Sequence, residues 1–426
     1  MKKLYILFFT LASTGVNAQA PKELSSLIQQ SFIYFPRIRE LGKSAELAEL
    51  RVDLAKSNYL PTVNGTASYS YISPVAQTNF VTGPSPSDVR TLQFQPNNNV
   101  NFNVGLNQVL WDFGKTQAQI EKAKADLLVT KQNTESAKLQ VAAQVASIYY
   151  SMIYLKQAAL VQDSVINYFE ESKRVIQGKI KNGDALQIDL STIENNISQE
   201  QNRKLEFQRL FDRQLALMKF TTGQSSVPTV TEFNFQNTVD NAVENNPELL
   251  AANERITAAQ ADLKLAGANK IPTLSLQAAA GFRNGYQPDI FETRFNYLAG
   301  ATLNIPIFQG GRLNKSNVLA KKSLELNELS KSTLIITLQK DVETSQSDVK
   351  AYTQQIKNSE EQINAAKETS RLAQVRYKQG VVTYLDLINA SSNLQRSHLN
   401  KLQYEYQRTL AQIELARLSG VKFWQE

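Results

Sequence analysis

The sequence predicts an α+β membrane protein in which one unit, a β-hairpin followed by a long α-helical coiled-coil hairpin, is used twice. Three observations predict it: a duplication running the length of the chain, period-two strands with an uncharged polar face, and heptad runs too long for a globular domain. Glycine and proline number 17 and 12 in 426 residues, few enough breakers for long uninterrupted elements.

The duplication organises everything else. Pro36 and Pro61 recur as Pro247 and Pro272 at one offset, and Gly114, Gly183, Asp189 and Gly223 recur as Gly311, Gly380, Asp386 and Gly420 at a shorter one. All the additional residues of the first half therefore fall between Pro61 and Gly114. Tolerance of length change marks a surface loop there. The division that follows is a first repeat over 19–223, a linker over 224–246, a second repeat over 247–420 and a tail over 421–426. Ahead of them, Lys2 and Lys3, a short apolar run and Val16-Asn17-Ala18 read as a secretory signal peptide over 1–18. Its apolar stretch is too short to span a bilayer as a helix.

Each repeat opens with a short helix, 37–59 and 247–269. Strands follow over 62–72 and 98–108, then over 273–283 and 295–305. Val63, Ala67, Tyr69 and Tyr71 alternate with Asn64, Thr66, Ser68 and Ser70, and Phe295, Tyr297, Ala299, Ala301 and Leu303 alternate with Asn296, Thr302 and Asn304. Strands of about ten residues with an uncharged Asn/Thr face and aromatics opposite suit a membrane barrel with a wet lumen. Two hairpins cannot close a barrel, and lipid forbids open edges, so several copies have to share one. The stretch between Pro74 and Pro96 reads as a Pro/Ser/Gly-rich connection, and Thr231 to Phe235 as a short linker strand.

Long helices are predicted over 114–180 and 311–377. In the first, Val141, Val145, Ile148, Met152, Leu155, Ala159, Gln162, Ile166, Phe169, Lys173, Ile176 and Ile180 keep alternating steps of four and three, and the equivalent positions of the second repeat keep the same register. Such a helix reaches roughly 100 Å at 1.5 Å per residue. Turns at Asn182-Gly183 and Gln379-Gly380 send the chain back along return helices over 185–221 and 382–418.

The composition excludes much. With no cysteine and one histidine, His398, thiolate nucleophiles, Cys-based metal sites and paired imidazoles are absent. No Gly-x-x-x-x-Gly-Lys loop is present. Asp112-Phe113-Gly114 matches a kinase tripeptide without the accompanying motifs and reads as a helix-capping corner. The net charge of +7 is spread rather than clustered, which does not suit nucleic acid. The reading is a protein that is not an enzyme and that holds no cofactor and no metal.

The duplicated strand-to-helix corners, Val-Leu-Trp-Asp-Phe-Gly-Lys from Val109 and Pro-Ile-Phe-Gln-Gly-Gly-Arg from Pro306, with Arg-Tyr-Lys-Gln-Gly from Arg376 and Leu385-Asp386-Leu387, resemble the outer membrane efflux protein (TolC) family over essentially the whole mature chain. The resemblance implies a homotrimer: a twelve-stranded outer-membrane barrel continued by a periplasmic α-helical barrel, with the linker at its equatorial region. It implies a Gram-negative outer membrane location. It further implies a passive channel-tunnel of a tripartite efflux or type I secretion system, partnered by a periplasmic adaptor and an inner-membrane pump of RND or ABC type.

The resemblance also assigns residues. The helix-turn-helix tips, 179–190 and 376–387, match the periplasmic end, where the tunnel narrows and the adaptor docks. Asp189 and Asp386 match an aperture acid, whose trimeric rings favour cations; an N-terminal acid complementing the helix dipole is the plainer reading. The family's second aperture acid aligns with Asn389 and an Arg of its closed state with Val382, which leaves Tyr377 as a candidate closing contact. Gly183 and Gly380, with Leu190 and Leu387, are the docking candidates, although the glycines serve the turn itself first. Trp111 and Phe308 suit a membrane aromatic belt or a packed corner. Two rivals are a trimeric coiled-coil adhesin or stalk, which would need a head domain, and a secreted hydrolase, which would need a catalytic cluster.

Overall fold

The structure, a computed structural model, describes residues 20–85, 89–235 and 243–425. The signal peptide assigned to 1–18 lies outside the described residues. The chain divides into two compact units, one drawn from Met1–Ser44, Thr130–Ala251 and Lys331–Glu426, the other from Ala45–Val129 and Ala252–Ser330. In chain order the helices are α1 (Lys22–Tyr34), α2 (Pro36–Ser57), α3 (Lys115–Lys181), α4 (Gln187–Thr222), α5 (Pro247–Ala268), α6 (Arg312–Lys378) and α7 (Tyr384–Leu418). The strands are β1 (Thr62–Tyr71), β2 (Gln77–Val81), β3 (Val89–Gln93), β4 (Asn98–Trp111), β5 (Thr273–Arg283) and β6 (Arg294–Asn304). Among the described residues no helix is long and apolar enough to cross a membrane.

The strand-bearing unit holds a four-stranded antiparallel sheet in the order β1-β4-β5-β6 and a separate two-stranded one, β2-β3. The two hairpins share a register: Thr62 faces Asn107 and Val63 faces Leu106, as Thr273 faces Asn304 and Leu274 faces Leu303. Between them Val104 faces Ala280 and Leu106 faces Ala278. The polar face bonds across strands, Thr66 Oγ1 donating to Asn103 Oδ1 at 2.8 Å. Asn284 locks the far end of the central pair, its Nδ2 donating to the Asn98 carbonyl at 2.7 Å and its Oδ1 accepting from the Val100 amide at 2.9 Å. In the helical part of this unit Lys122 pairs with Asp262 and Lys264 with Glu121, each at 2.9 Å.

The other unit has its core where α1 and the middle of α3 meet the chain's C-terminal end. Leu24, Ile28, Val145, Tyr149, Tyr150, Met152, Met218, Ile413 and Phe423 are fully or almost fully buried there. Each buried side chain of this size contributes about 1.5–3 kcal/mol. Glu23 anchors the linker to this core, accepting from Tyr149 Oη at 3.0 Å and Thr229 Oγ1 at 2.8 Å.

Four details differ from the sequence expectation. Helix α1 was not anticipated, although Leu24, Leu27, Ile28 and Ser31 lie at helical spacing and are its buried face; Pro36 then opens α2, where its missing N–H is harmless. The connection between Pro74 and Pro96 is not irregular throughout but carries the small hairpin β2–β3. Residues 231–235 form no strand. They are held through side chains instead: Phe233 stacks on Tyr150, Phe235 edges onto Phe423 at 5.3 Å, and Tyr150 Oη donates to the Asn234 carbonyl at 3.1 Å. The C-terminal end is no loose tail, since Phe423 and Trp424 are buried in the core.

Candidate functional site

The two helical hairpins turn in the same way. Asp184 N donates to the Lys179 carbonyl at 2.8 Å and Gly183 N to that of Ile180 at 3.1 Å; Val381 N donates to Arg376 at 2.9 Å and Gly380 N to Tyr377 at 3.1 Å. This closure needs a left-handed residue after the helix, and Gly183 and Gly380 supply it with φ of 81° and 75°. Neither has anything within 4 Å of where a Cβ would stand, so the turn geometry, not crowding, selects glycine.

Asp189 and Asp386 both sit at the third position of a return helix. Asp189 Oδ2 accepts from the Leu186 amide at 3.2 Å. Asp386 makes the fuller cap: its Oδ2 accepts from the Thr383 amide at 3.0 Å and from Thr383 Oγ1 at 2.7 Å, while its own amide donates back to Thr383 Oγ1 at 3.2 Å. The Thr383 hydroxyl, then its amide, hold the Asp386 carboxyl below its ordinary value. The plainer capping role is thus present at both acids, stronger at Asp386. Asn389 is exposed one turn further on.

The remaining tip residues form a single apolar cluster. Phe169, Ile176, Ile193, Tyr377, Tyr384 and Leu387 are buried in it, with Val382 and Leu190 packed against it. Leu387 is 2% exposed in the single chain. The apolar side chains that point outward at the tips are instead Leu186, Ile188, Val381 and Leu385. Burial, with the Asp189 charge adding, raises the Tyr377 hydroxyl above its ordinary pKa; burial raises Tyr384 further. The rings of Tyr377 and Tyr384 lie 5.9 Å apart.

Two features escaped sequence reasoning. Lys179 Nζ lies 4.3 Å over the Tyr377 ring and donates to the Tyr377 carbonyl at 3.2 Å; its alignment with Arg376 across the repeat was the available signal. Higher up, Gln395 Nε2 donates to Gln162 Oε1 and to Glu200 Oε2, each at 2.7 Å, with all three side chains buried. Gln162 breaks the heptad pattern, so one of the three members of this layer is legible in the sequence. His398, beside the apolar hollow lined by Val161, Val165, Tyr168 and Leu394, is pushed below its ordinary pKa by burial and by Lys401 and Lys367. Among the described residues no cluster of acids or histidines could hold a metal ion.

In the strand-bearing unit Trp111 and Phe308 are 61% and 86% exposed. Trp111 ends β4 past a register shift, edge-on to Phe113 at 5.9 Å. Asp112 accepts from the Gly114 and Thr116 amides at 3.1 and 2.7 Å and so caps α3.

Comparison with known proteins places this geometry. The outer membrane protein OprJ of Pseudomonas aeruginosa is 24% identical over 72% of this chain and 67% of its own length. The solvent efflux pump outer membrane protein SrpC of Pseudomonas putida is 22% identical over 90% of this chain and 82% of its own. The crystal structure of VceC from Vibrio cholerae covers 94% of this chain and 97% of its own with a TM-score of 0.80 at 17% identity, which shows a shared fold. The family described as outer membrane efflux protein matches residues 27–224 and 238–421, nearly all of both repeats: the chain belongs to the outer membrane efflux protein family.

Proposed function

We propose that the protein is the outer-membrane channel of a tripartite efflux or type I secretion system, a homotrimer that conducts its cargo passively from periplasm to exterior. The observation that carries this reading is the four-stranded sheet whose two edges, β1 and β6, have no strand partner among the described residues and which carries a row of exposed apolar side chains that includes Tyr69, Tyr71, Val104, Phe282 and Tyr297. In lipid such edges have to be paired, and three copies of four strands give a twelve-stranded closed barrel. The family assignment and the efflux pump named for SrpC support the same reading over a trimeric adhesin or stalk. The chain performs no chemistry; energy comes from an inner-membrane pump of RND or ABC type through a periplasmic adaptor.

At the periplasmic end, Asp189 and Asp386 ring the aperture, with Asn389 beside them and with Tyr377 and Val382 holding the tip cluster closed from within. Adaptor docking uses the Gly183 and Gly380 turns. Leu190 and Leu387 shape that surface from beneath, and the outward Leu186, Ile188, Val381 and Leu385 make the contacts. Trp111 and Phe308 form the aromatic belt. Planar-bilayer recording of the purified protein tests the reading: the wild type is expected to form cation-preferring channels, and Asp189→Asn with Asp386→Asn to raise conductance and weaken block by multivalent cations. Absence of channel activity, or recovery of the native protein in the soluble periplasm, would sink it.

A further inference from the structure

The duplication determines how the open edges meet. β1 and β5 are equivalent strands of the two repeats, as are β4 and β6, and the two hairpins have the same register residue for residue. The one junction between hairpins inside the chain is β4 against β5, where Val104 faces Ala280, Gly105 faces Ala279, Leu106 faces Ala278 and Phe102 faces Phe282. The two edge strands of the sheet, β6 and β1, are the repeat equivalents of those two strands. Carried across the repeat, Val104 becomes Ala301 and Ala280 becomes Tyr69; Gly105 becomes Thr302 and Ala279 becomes Ser68; Leu106 becomes Leu303 and Ala278 becomes Ala67; Phe102 becomes Ala299 and Phe282 becomes Tyr71.

We propose that β6 of one copy pairs antiparallel with β1 of the next in the register that sets Ala301 against Tyr69, Thr302 against Ser68, Leu303 against Ala67 and Ala299 against Tyr71, so that the junction between chains repeats the junction within one. The inference rests on the trimeric reading above and specifies its partner surface. Side-chain alternation agrees: Tyr69, Tyr71, Ala299, Ala301 and Leu303 stand on the apolar face, Ser68 and Thr302 on the polar one. A slip of one residue sets tyrosines on the polar face. A slip of two keeps the faces and is the real competitor, but it sets Tyr71 against Tyr297 in one direction and Tyr69 against Leu303 in the other. The proposed register puts both tyrosines opposite alanines, leaving room for each ring.

Engineered disulfides test it without background, because the chain has no cysteine. Directly opposed residues have Cα atoms about 4.5–5.5 Å apart, within disulfide reach, whereas partners two residues away lie at about 7–8 Å. Within one copy β1 and β6 are separated by three strand spacings, about 14 Å, so any bridge joins two chains. Ser68→Cys with Thr302→Cys, and Tyr69→Cys with Ala301→Cys, sample both kinds of antiparallel pair, one on each face. After mild oxidation in membranes at least one is expected to give covalent dimer and trimer on a non-reducing gel. The slipped pairs Thr66→Cys or Ser70→Cys with Thr302→Cys, and Ala67→Cys or Tyr71→Cys with Ala301→Cys, are expected to remain monomeric. Bridging in a slipped pair and not in the proposed ones, or no bridging in any pair of a protein that native mass spectrometry finds trimeric, overturns the register alone. A monomeric mass for the unmodified protein in detergent overturns the trimeric reading as well.

Discussion

Lys179, from the end of the first long helix, places its ammonium 4.3 Å over the ring of Tyr377, from the end of the second, and bonds the Tyr377 backbone carbonyl at 3.2 Å. The cation thus holds the two helical hairpin tips of one chain together through a ring face and a main-chain acceptor at once. A contact of this type contributes about 0.5–1 kcal/mol at a partly exposed site, enough to bias a tip and too little to lock it. Lys179→Met keeps the aliphatic stem and removes both interactions. It is expected to raise the open fraction in planar-bilayer recordings severalfold. Lys179→Arg should restore most of the wild-type behaviour, since a guanidinium serves both acceptors. Equal open fractions in all three proteins would show that the tie does not bear on opening.

The Asp386 cap makes a pH prediction with a definite sign. Its carboxyl is held below its ordinary value by the Thr383 hydroxyl and amide, so the charged form is the one the folded tip favours. The contribution is complete above the usual aspartate value of about 3.9 and is lost as pH falls through the lowered one. Hydrogen exchange at the first turn of α7, expressed as protection against the intrinsic rate, is expected to hold steady down to about pH 4 and to fall below it. In Thr383→Ala the carboxyl loses its hydroxyl donor, so the fall should start at the same pH but be smaller and be complete at a higher pH. An unchanged profile in that variant would show that Thr383 does not set the titration.

The contrast between these acids and the tip leucines shows what the sequence could carry. The duplication located both turns, both acids and all four long strands, because a repeat is a pattern in one dimension. Whether Leu387 faces solvent or the cluster around Phe169 depends on how two hairpins pack, and both orientations satisfy the same heptad. Lys179 and Gln395 were missed for the same reason: each acts on a residue roughly 200 positions away. Helix α1 is the opposite case, since its buried face of Leu24, Leu27, Ile28 and Ser31 lies at helical spacing within a single short segment and is legible in one dimension.

Gln395 bridges Gln162 and Glu200 inside the helical hairpins at 2.7 Å to each. Glu200 is 5% exposed and also accepts from Arg203 at 2.6 Å, so the layer is polar and buried, with its carboxylate satisfied and Gln162 Nε2 left without a partner. Removing one member should cost more than removing all. Gln395→Ala strips a donor from a buried carboxylate and is expected to destabilise the helical region by about 1–3 kcal/mol. The triple variant Gln162→Leu, Glu200→Leu, Gln395→Leu should recover most of that loss or exceed wild type. Thermal melts followed at 222 nm by circular dichroism compare them. If the triple variant is instead the least stable of the set, the layer contributes net stability.

The chain's two tryptophans lie in opposite surroundings, so Trp424 serves as a buried control for the proposed place of Trp111 in the aromatic belt. Trp424 is 5% exposed, enclosed by Phe32 and Phe423 with ring centroids 5.4 Å from each. Trp111 is 61% exposed at the end of β4, beyond the register shift that follows Val109. An amphipathic indole at the end of a membrane strand is favoured at headgroup depth, where its ring is in apolar surroundings and its N–H is wet. In Trp424→Phe, where Trp111 is the sole tryptophan, lipids brominated near the headgroup are expected to quench most of the emission, and lipids brominated near the chain terminus much less. In Trp111→Phe the remaining Trp424 should be indifferent to both. Strong quenching of Trp111 by chain-terminal bromine would move it to the bilayer centre, and no quenching at either depth would return it to the corner packing with Phe113.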